Sequence, residues 1–296
     1  MRFVKEPGWI CEDCLLIDAY GWQIKGATCV LAVKGLGEGV LIEAAHKGSA
    51  PYVLEELKEL GGVKWVLVTH RHVDHAGGVA PILEAVPGVR VAAHPVTLRN
   101  IVDPSRINEA TRRMWGEYAD TMSPVGSLDR LVELGDGDSV EVEGGVVVEA
   151  VHTPGHSSDH QAYYVSEREL VYLGDAGGLL SCETGVVIPA AFPSSFNFKE
   201  YFRSLDRLMS YEPKVLVFSH FGAVVGGDAV KAIEACAETL EDWRKLACEL
   251  DTPALADELK KRYLGKFALF ETNVRSLMFD IIAVGLINAL KKEGER

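Results

Sequence analysis

Four apolar, β-branched runs in this chain each end on a histidine or an aspartate. Lys64-Trp65-Val66-Leu67-Val68-Thr69 runs into His70. Val147-Val148-Glu149-Ala150-Val151 runs into His152-Thr153-Pro154-Gly155-His156. Leu170-Val171-Tyr172-Leu173 runs into Gly174-Asp175, and Val215-Leu216-Val217-Phe218 runs into Ser219-His220. Runs of this length and composition read as buried strands. Where helices cover a sheet, functional groups collect at the carboxyl ends of its strands. The fold therefore has to bring four strand exits and their polar side chains to one edge.

The intervening stretches fit an α/β chain. Residues 27–33 and 39–43 flank Lys34-Gly35-Leu36-Gly37-Glu38 as a hairpin. Val53, Leu54, Leu57 and Leu60 have helical spacing until Gly61-Gly62 stops them. A helix over 77–85 and a strand over 89–93 complete a unit after His70. Residues 95–130 are polar, loosely helical and irregular, an insertion over one face, with Arg112, Arg113, Met114, Trp115 and Tyr118 together. Strands are expected at 140–142, 146–151, 162–165, 170–173 and 214–218, with a helix at 198–209. From 228 the pattern becomes helical, over 229–250, 253–263 and 273–290. This divides the chain into a strand-bearing region, 1–227, and a C-terminal helical region, 228–296.

Charge and cysteine content restrict the partners. A formal charge of −13, with no large cluster of Lys and Arg, argues against nucleic acid. It does not exclude small anionic substrates, because a bound metal overrides the global field locally. The first residues lack the apolar core of a signal peptide, and the apolar stretch 277–290 contains Asp280 and is short for a membrane span. A cytoplasmic protein is expected, with no membrane partner and its six cysteines reduced. Cys11-Glu12-Asp13-Cys14 has metal or redox spacing, but no second cysteine pair accompanies it. Asn and Gln total seven, a composition in keeping with a heat-adapted source.

The chemistry is concentrated after the first strand. His70-Arg71-His72-Val73-Asp74-His75 places four potential ligands in six residues. Neutral imidazole and carboxylate suit zinc, iron or manganese. A turning loop is expected, so that residues one and three meet one ion and residues five and six another. Ala76-Gly77-Gly78 leaves the backbone room to enter the next helix. His152 and His160 flank His156 as groups that support ligands or face substrate, because metal-bound imidazoles need hydrogen-bond partners. His46 and His94 read as structural.

Thr69 to His75 fits every fixed position of Thr-His-x-His-x-Asp-His, and Thr-Pro-Gly-His, Gly-Asp and a last His follow in order. Over roughly residues 20–225 the sequence resembles the metallo-β-lactamase superfamily, in its glyoxalase II-like or lactonase-like branch. The resemblance implies a four-layer αββα sandwich with a C-terminal helical extension. It implies a first divalent metal on His70, His72 and His156, a second on Asp74, His75 and His220, and Asp175 bridging both. Zinc is the first expectation, with iron and manganese open. The sequence departs from the family at Leu41-Ile42-Glu43-Ala44-Ala45, where many members read Leu-Ile-Asp-Thr-Gly. Arg71 is unusual inside the signature, and either faces the cleft or pairs with a group behind the ligands.

The implied activity is hydrolysis by a hydroxide held between the metals, with Asp74 as both ligand and catalytic orienting group. The substrate would be a small molecule with an ester-like bond, a thioester or lactone first and a phosphodiester second. An iron-dependent persulfide dioxygenase of the same fold is the alternative. Residues 228–296 either wall the cleft or pair subunits, the latter giving a homodimer. Specificity is expected in the 95–130 insertion and the 177–197 loop.

Overall fold

The computed structural model describes residues 2–193 and 195–295; Met1, Ser194 and Arg296 lie outside the described residues. Strand β1 (Arg2–Val4) crosses to the far edge of the second of two seven-stranded sheets. The first sheet holds β2 (Gly8–Trp9), β3 (Cys14–Asp18), β4 (Cys29–Val33), β5 (Gly39–Ile42), β6 (Val63–Val68), β7 (Arg90–Ala93) and β8 (Leu131–Glu133), paired in chain order. From β2 to β5 the strands meander antiparallel; from β5 to β8 they run parallel. Parallel neighbours need crossovers. These are α1 (Ala50–Glu56), then α2 (Val73–Ala76) with α3 (Val79–Ala85), then α4 (Pro95–Val102) with α5 (Ser105–Trp115).

The second sheet takes β9 (Ser139–Val142), β10 (Val146–His152), β11 (Gln161–Val165) and β12 (Leu170–Tyr172) as an antiparallel meander. A separate hairpin, β13 (Leu179–Ser181) and β14 (Val186–Ile188), and α6 (Phe198–Ser210) then lead to β15 (Val215–Phe218), parallel to β12. β16 (Gly222–Val225) turns back between β15 and β1. Three helices close the chain: α7 (Lys231–Glu249), α8 (Thr252–Tyr263) and α9 (Thr272–Glu293).

The layers follow from the two-residue period of the strands. Leu16, Leu31, Ile42 and Leu67 of the first sheet meet Val148, Tyr163, Tyr172 and Val217 of the second in one buried cluster. Their neighbours Ile17, Val30, Leu41 and Val66 point outward onto Val53, Ile82, Leu83 and Leu98 of α1, α3 and α4. On the other side Val151, Val171, Leu216 and Phe218 bury against α6 to α9, through Tyr201, Trp243, Leu259 and Phe279. The result is the αββα sandwich with C-terminal helices that the sequence implied. β6, β10, β12 and β15 all leave their sheets at one edge.

The structure differs from the sequence reading in several places. Residues 95–115, expected to be only loosely helical, form two regular helices, α4 and α5. α5 has no buried residue, so its polar composition reflects one solvated face rather than a lack of regular structure. β3, fully buried in the first sheet, was not anticipated. Asp74 and His75 lie on the single helical turn α2, not on a loop. Gly77 and Gly78 have ordinary helical torsions and are needed for space, since a Cβ on Gly78 would run into the Ala44 carbonyl. Finally, α9 extends beyond 277–290 to 22 residues, and by length and composition alone it could cross a membrane; over half of its most apolar window is buried against the fold.

Candidate metal centre

Each group at the shared edge is delivered by a strand exit. His70 follows β6, and His72 and Asp74-His75 arrive on the turn into α2. His156 follows β10 on a loop whose Gly155 has φ +131° and lies against the Tyr201 backbone of α6, where a Cβ would not fit. Asp175 follows β12 and His220 follows β15. All seven side chains are mostly or fully buried except His72 and Asp74, which are partly open.

His70 Nε2, His72 Nδ1 and His156 Nε2 form a triangle with edges of 2.9, 3.0 and 3.2 Å. Asp74, His75 and His220 form a second group, and Asp175 joins His70 and His75 in a third. Asp175 faces both ways. Its Oδ2 is 3.3 Å from His156 Nε2, while its Oδ1 is 3.6 Å from His75 Nε2 and 3.5 Å from His220 Nε2.

The atoms behind the ligands fix which nitrogen is free. The Thr69 hydroxyl donates to Glu43 Oε2 at 2.6 Å and so accepts from His70 Nδ1 at 3.0 Å, leaving the His70 Nε2 lone pair pointing inward. His156 Nδ1 donates to the Ala190 carbonyl at 2.7 Å. His75 Nδ1 donates to Glu43 Oε2 at 2.9 Å. Glu43, at φ +83° and almost fully buried, thus ties two ligands together and also accepts from the Thr69 amide. The sequence reading left this residue without a role, although it too is an acid at a strand exit, beside β6.

This arrangement fits divalent cations. Three imidazole nitrogens at 2.9–3.2 Å cannot all hydrogen-bond to one another. Metal–nitrogen bonds of about 2.0–2.1 Å in tetrahedral geometry would separate the nitrogens by roughly 3.3 Å. His75 Nε2 and Asp175 Oδ1 are buried without a hydrogen-bond partner, though a buried polar atom normally has one. Burial and the neighbouring imidazoles hold His70 and His72 well below the ordinary histidine range, in the neutral form that binds metal. Burial opposes the charged form of Asp74, but His75 and His220 hold its carboxyl below the usual range. At His75 burial is outweighed by Asp175, Asp74 and Glu43, which push the imidazole up to about 10. The negative potential that draws a proton there would equally draw a cation.

The remaining sequence candidates separate. His160 is buried; its Nε2 accepts from the Asp175 amide at 3.0 Å and its Nδ1 donates to Thr153 at 2.8 Å, so it positions Asp175. His152 is turned away, bonding the Ser158 carbonyl at 3.0 Å and stacking on His94. Arg71 pairs with fully buried Asp159, which also accepts from Thr97 at 2.8 Å, and it lines the cavity above the metal groups.

That cavity measures about 250 Å³. α5 supplies Ile107, Met114 and Trp115 to its wall, and the C-terminal region supplies Phe270 and Met278. Trp22, at φ +51°, closes one side, its ring edge-on to Phe270 at 5.4 Å and to the buried His46 at 4.0 Å. Asp120, bonded to His46 Nδ1 at 3.0 Å, also reaches the cavity. Neither Trp22 nor Phe270 carried a sequence signal, because each becomes a wall only through packing between distant segments.

Comparison with known proteins agrees with this architecture. A metallo-beta-lactamase fold-containing protein of Sulfurisphaera tokodaii is 25% identical over 80% of this chain and 85% of its own length. A hydroxyacylglutathione hydrolase of Methylobacterium nodulans is 30% identical over 56% of this chain and 52% of its own. An atrochrysone carboxyl ACP thioesterase of Aspergillus fumigatus is 30% identical over 55% of this chain and 39% of its own. The chain thus spans about half or less of these two enzymes. Among solved structures, an archaeal metallo-beta-lactamase superfamily protein from Sulfolobus tokodaii superposes with a TM-score of 0.72 at 21% identity, covering 95% of this chain and 99% of that one. A metallo-beta-lactamase family protein from Thermus thermophilus gives 0.65 at 24% identity, over 90% and 89%. The sequence profile described as the metallo-beta-lactamase superfamily matches residues 24–220, a span that takes in all seven side chains of the cluster. The chain belongs to the metallo-beta-lactamase superfamily.

Proposed function

We propose that this protein is a hydrolase that holds two divalent cations, zinc in the first instance, and cleaves a thioester or lactone bond of a small molecule. The observation that carries the reading is Asp175, whose two carboxylate oxygens face different imidazole sets at 3.3–3.6 Å. A carboxylate so placed could serve two ions at once. The hydroxyacylglutathione hydrolase and ACP thioesterase names of the relatives support a thioester. His70, His72 and His156 would hold one ion, Asp74, His75 and His220 the other. Two such ions supply a water ionised near pH 7 and an electrophile for the substrate oxygen.

The chain's own groups do the rest. Asp74 is kept ionised at the floor of the cavity, where its carboxylate can accept a hydrogen bond from the attacking water and orient it. Arg71 is held by Asp159 with its guanidinium at the cavity wall, placed to donate to a substrate oxygen. Ile107, Met114, Trp115, Phe270 and Met278 exclude water and receive an apolar acyl group. Metal analysis of the purified protein together with a panel of thioesters, lactones and phosphodiesters tests the reading. Two metal equivalents with thioester or lactone turnover are expected. One equivalent of iron with oxygen uptake on a persulfide would replace it with the dioxygenase alternative.

A further inference from the structure

At the opposite end of the sandwich from the metal centre, the turn between β2 and β3 closes by a hydrogen bond from the Ile10 amide to the Cys14 carbonyl at 2.9 Å. Across it Cys11 Sγ and Cys14 Sγ donate to one oxygen of Asp13, at 3.3 and 3.6 Å. The two sulfurs and the carboxylate all lie within 4.8 Å of one another. Cys11 is partly exposed, whereas Cys14 is fully buried between the sheets. Among the described residues no other two cysteines share a hydrogen-bond partner.

The trio is a poor cation site. Both Asp13 oxygens are engaged by Arg168, whose Nε donates to Oδ1 at 2.7 Å and whose Nη2 donates to Oδ2. A guanidinium already neutralises the carboxylate, and among the described residues no histidine completes a four-ligand set. What remains is a pair of thiols, one reachable from solvent and one behind it.

We propose that Cys11 and Cys14 form a redox-active dithiol that exchanges with small-molecule disulfides and closes to an intramolecular disulfide. Cys11 attacks first. Its thiolate displaces one sulfur of the small disulfide, which departs as a thiol on taking a proton, and a mixed disulfide remains on Cys11. Cys14 then gives up its proton and attacks Cys11 Sγ, releasing the second small thiol. Two protein thiols are oxidised, one disulfide is reduced to two thiols, and no other reactant is needed. The ionisation behaviour fits this order. The neighbouring Cys14 side chain holds the Cys11 thiol below its ordinary range despite partial burial. The neighbouring Cys11 sulfur, together with burial, keeps Cys14 protonated until the mixed disulfide forms. A ring spanning four residues constrains the unfolded chain little, so the bond serves exchange better than stability.

The test treats metal-loaded protein with oxidised glutathione, followed by thiol blocking and peptide mass mapping, with exposed Cys248 as the internal reference. Wild type should lose both thiols of the 11–14 peptide to an internal disulfide, and dithiothreitol should restore them. Cys14→Ser should stop at a glutathione adduct on Cys11, and Cys11→Ser should leave Cys14 free. Hydrolytic activity should be equal in the oxidised and reduced forms, since the pair lies at the far end of β3 from the metal cavity. Modification of Cys248 alone overturns the proposal, as does protection of both thiols by added zinc. The wild-type map decides even where a variant fails to fold.

Discussion

The two halves of the metal centre are built from different chemistry. His70, His72 and His156 offer three ring nitrogens within 3.2 Å of one another, with two of the rings held from behind by the Thr69 hydroxyl and the Ala190 carbonyl. Asp74, His75 and His220 form the looser half, with contacts of 3.5–3.7 Å among themselves and to Asp175. The looser half is held from behind by a buried carboxylate, Glu43. The first half attracts a cation through aligned lone pairs; the second does so mainly through charge. The second half should therefore be the more sensitive to loss of a single negative group outside the ligands.

The largest test removes the group common to both halves. Asp175→Ala should cost at least about a hundredfold in activity, beyond the 10–100-fold typical of groups behind the ligands, and should lower metal content in both halves. Full activity would end the bridging assignment. Glu43→Gln should separate the halves, weakening one metal equivalent by about 10–100-fold while the other stays, as read by metal titration. Equal weakening of both would show that Glu43 acts through Thr69 and His70 as much as through His75. Phe270→Ala should raise KM for an apolar acyl substrate by about tenfold with little change in kcat, because about 1.5–3 kcal/mol of side-chain burial is at stake. An unchanged KM would remove the C-terminal region from the substrate wall. The smallest effect is expected from Thr69→Val, which deletes one hydroxyl between Glu43 and His70. A stability loss of about 1 kcal/mol in denaturant titration and a severalfold fall in activity are expected.

Much of the centre was legible because its ligands sit where strand patterns stop. An apolar run ending on His70 or Asp175 marks both a buried strand and the direction in which its next side chain emerges. The supporting groups were harder to see. Glu43 looked like a departure from a family pattern, and only its left-handed backbone, which turns the side chain back under Thr69 and His75, explains it. His152 and His160 have the same sequence setting on either side of His156, yet one stacks on His94 at the surface and the other holds the Asp175 amide. β3 has no alternating pattern to reveal it, because Leu15, Leu16 and Ile17 are apolar on both faces and all three are buried in the first sheet.

The sequence alone determined the strand exits, the ligand types and the order in which they occur, because local periodicity and side-chain chemistry are properties of neighbouring residues. Only the tertiary structure decided which imidazole nitrogens turn inward, that Asp175 faces two groups, and that Trp22, Trp115 and Phe270 meet around one cavity. These depend on distances between segments up to about two hundred and fifty residues apart. Such distances are set by the packing of two sheets and their covering helices, which no single stretch of chain encodes.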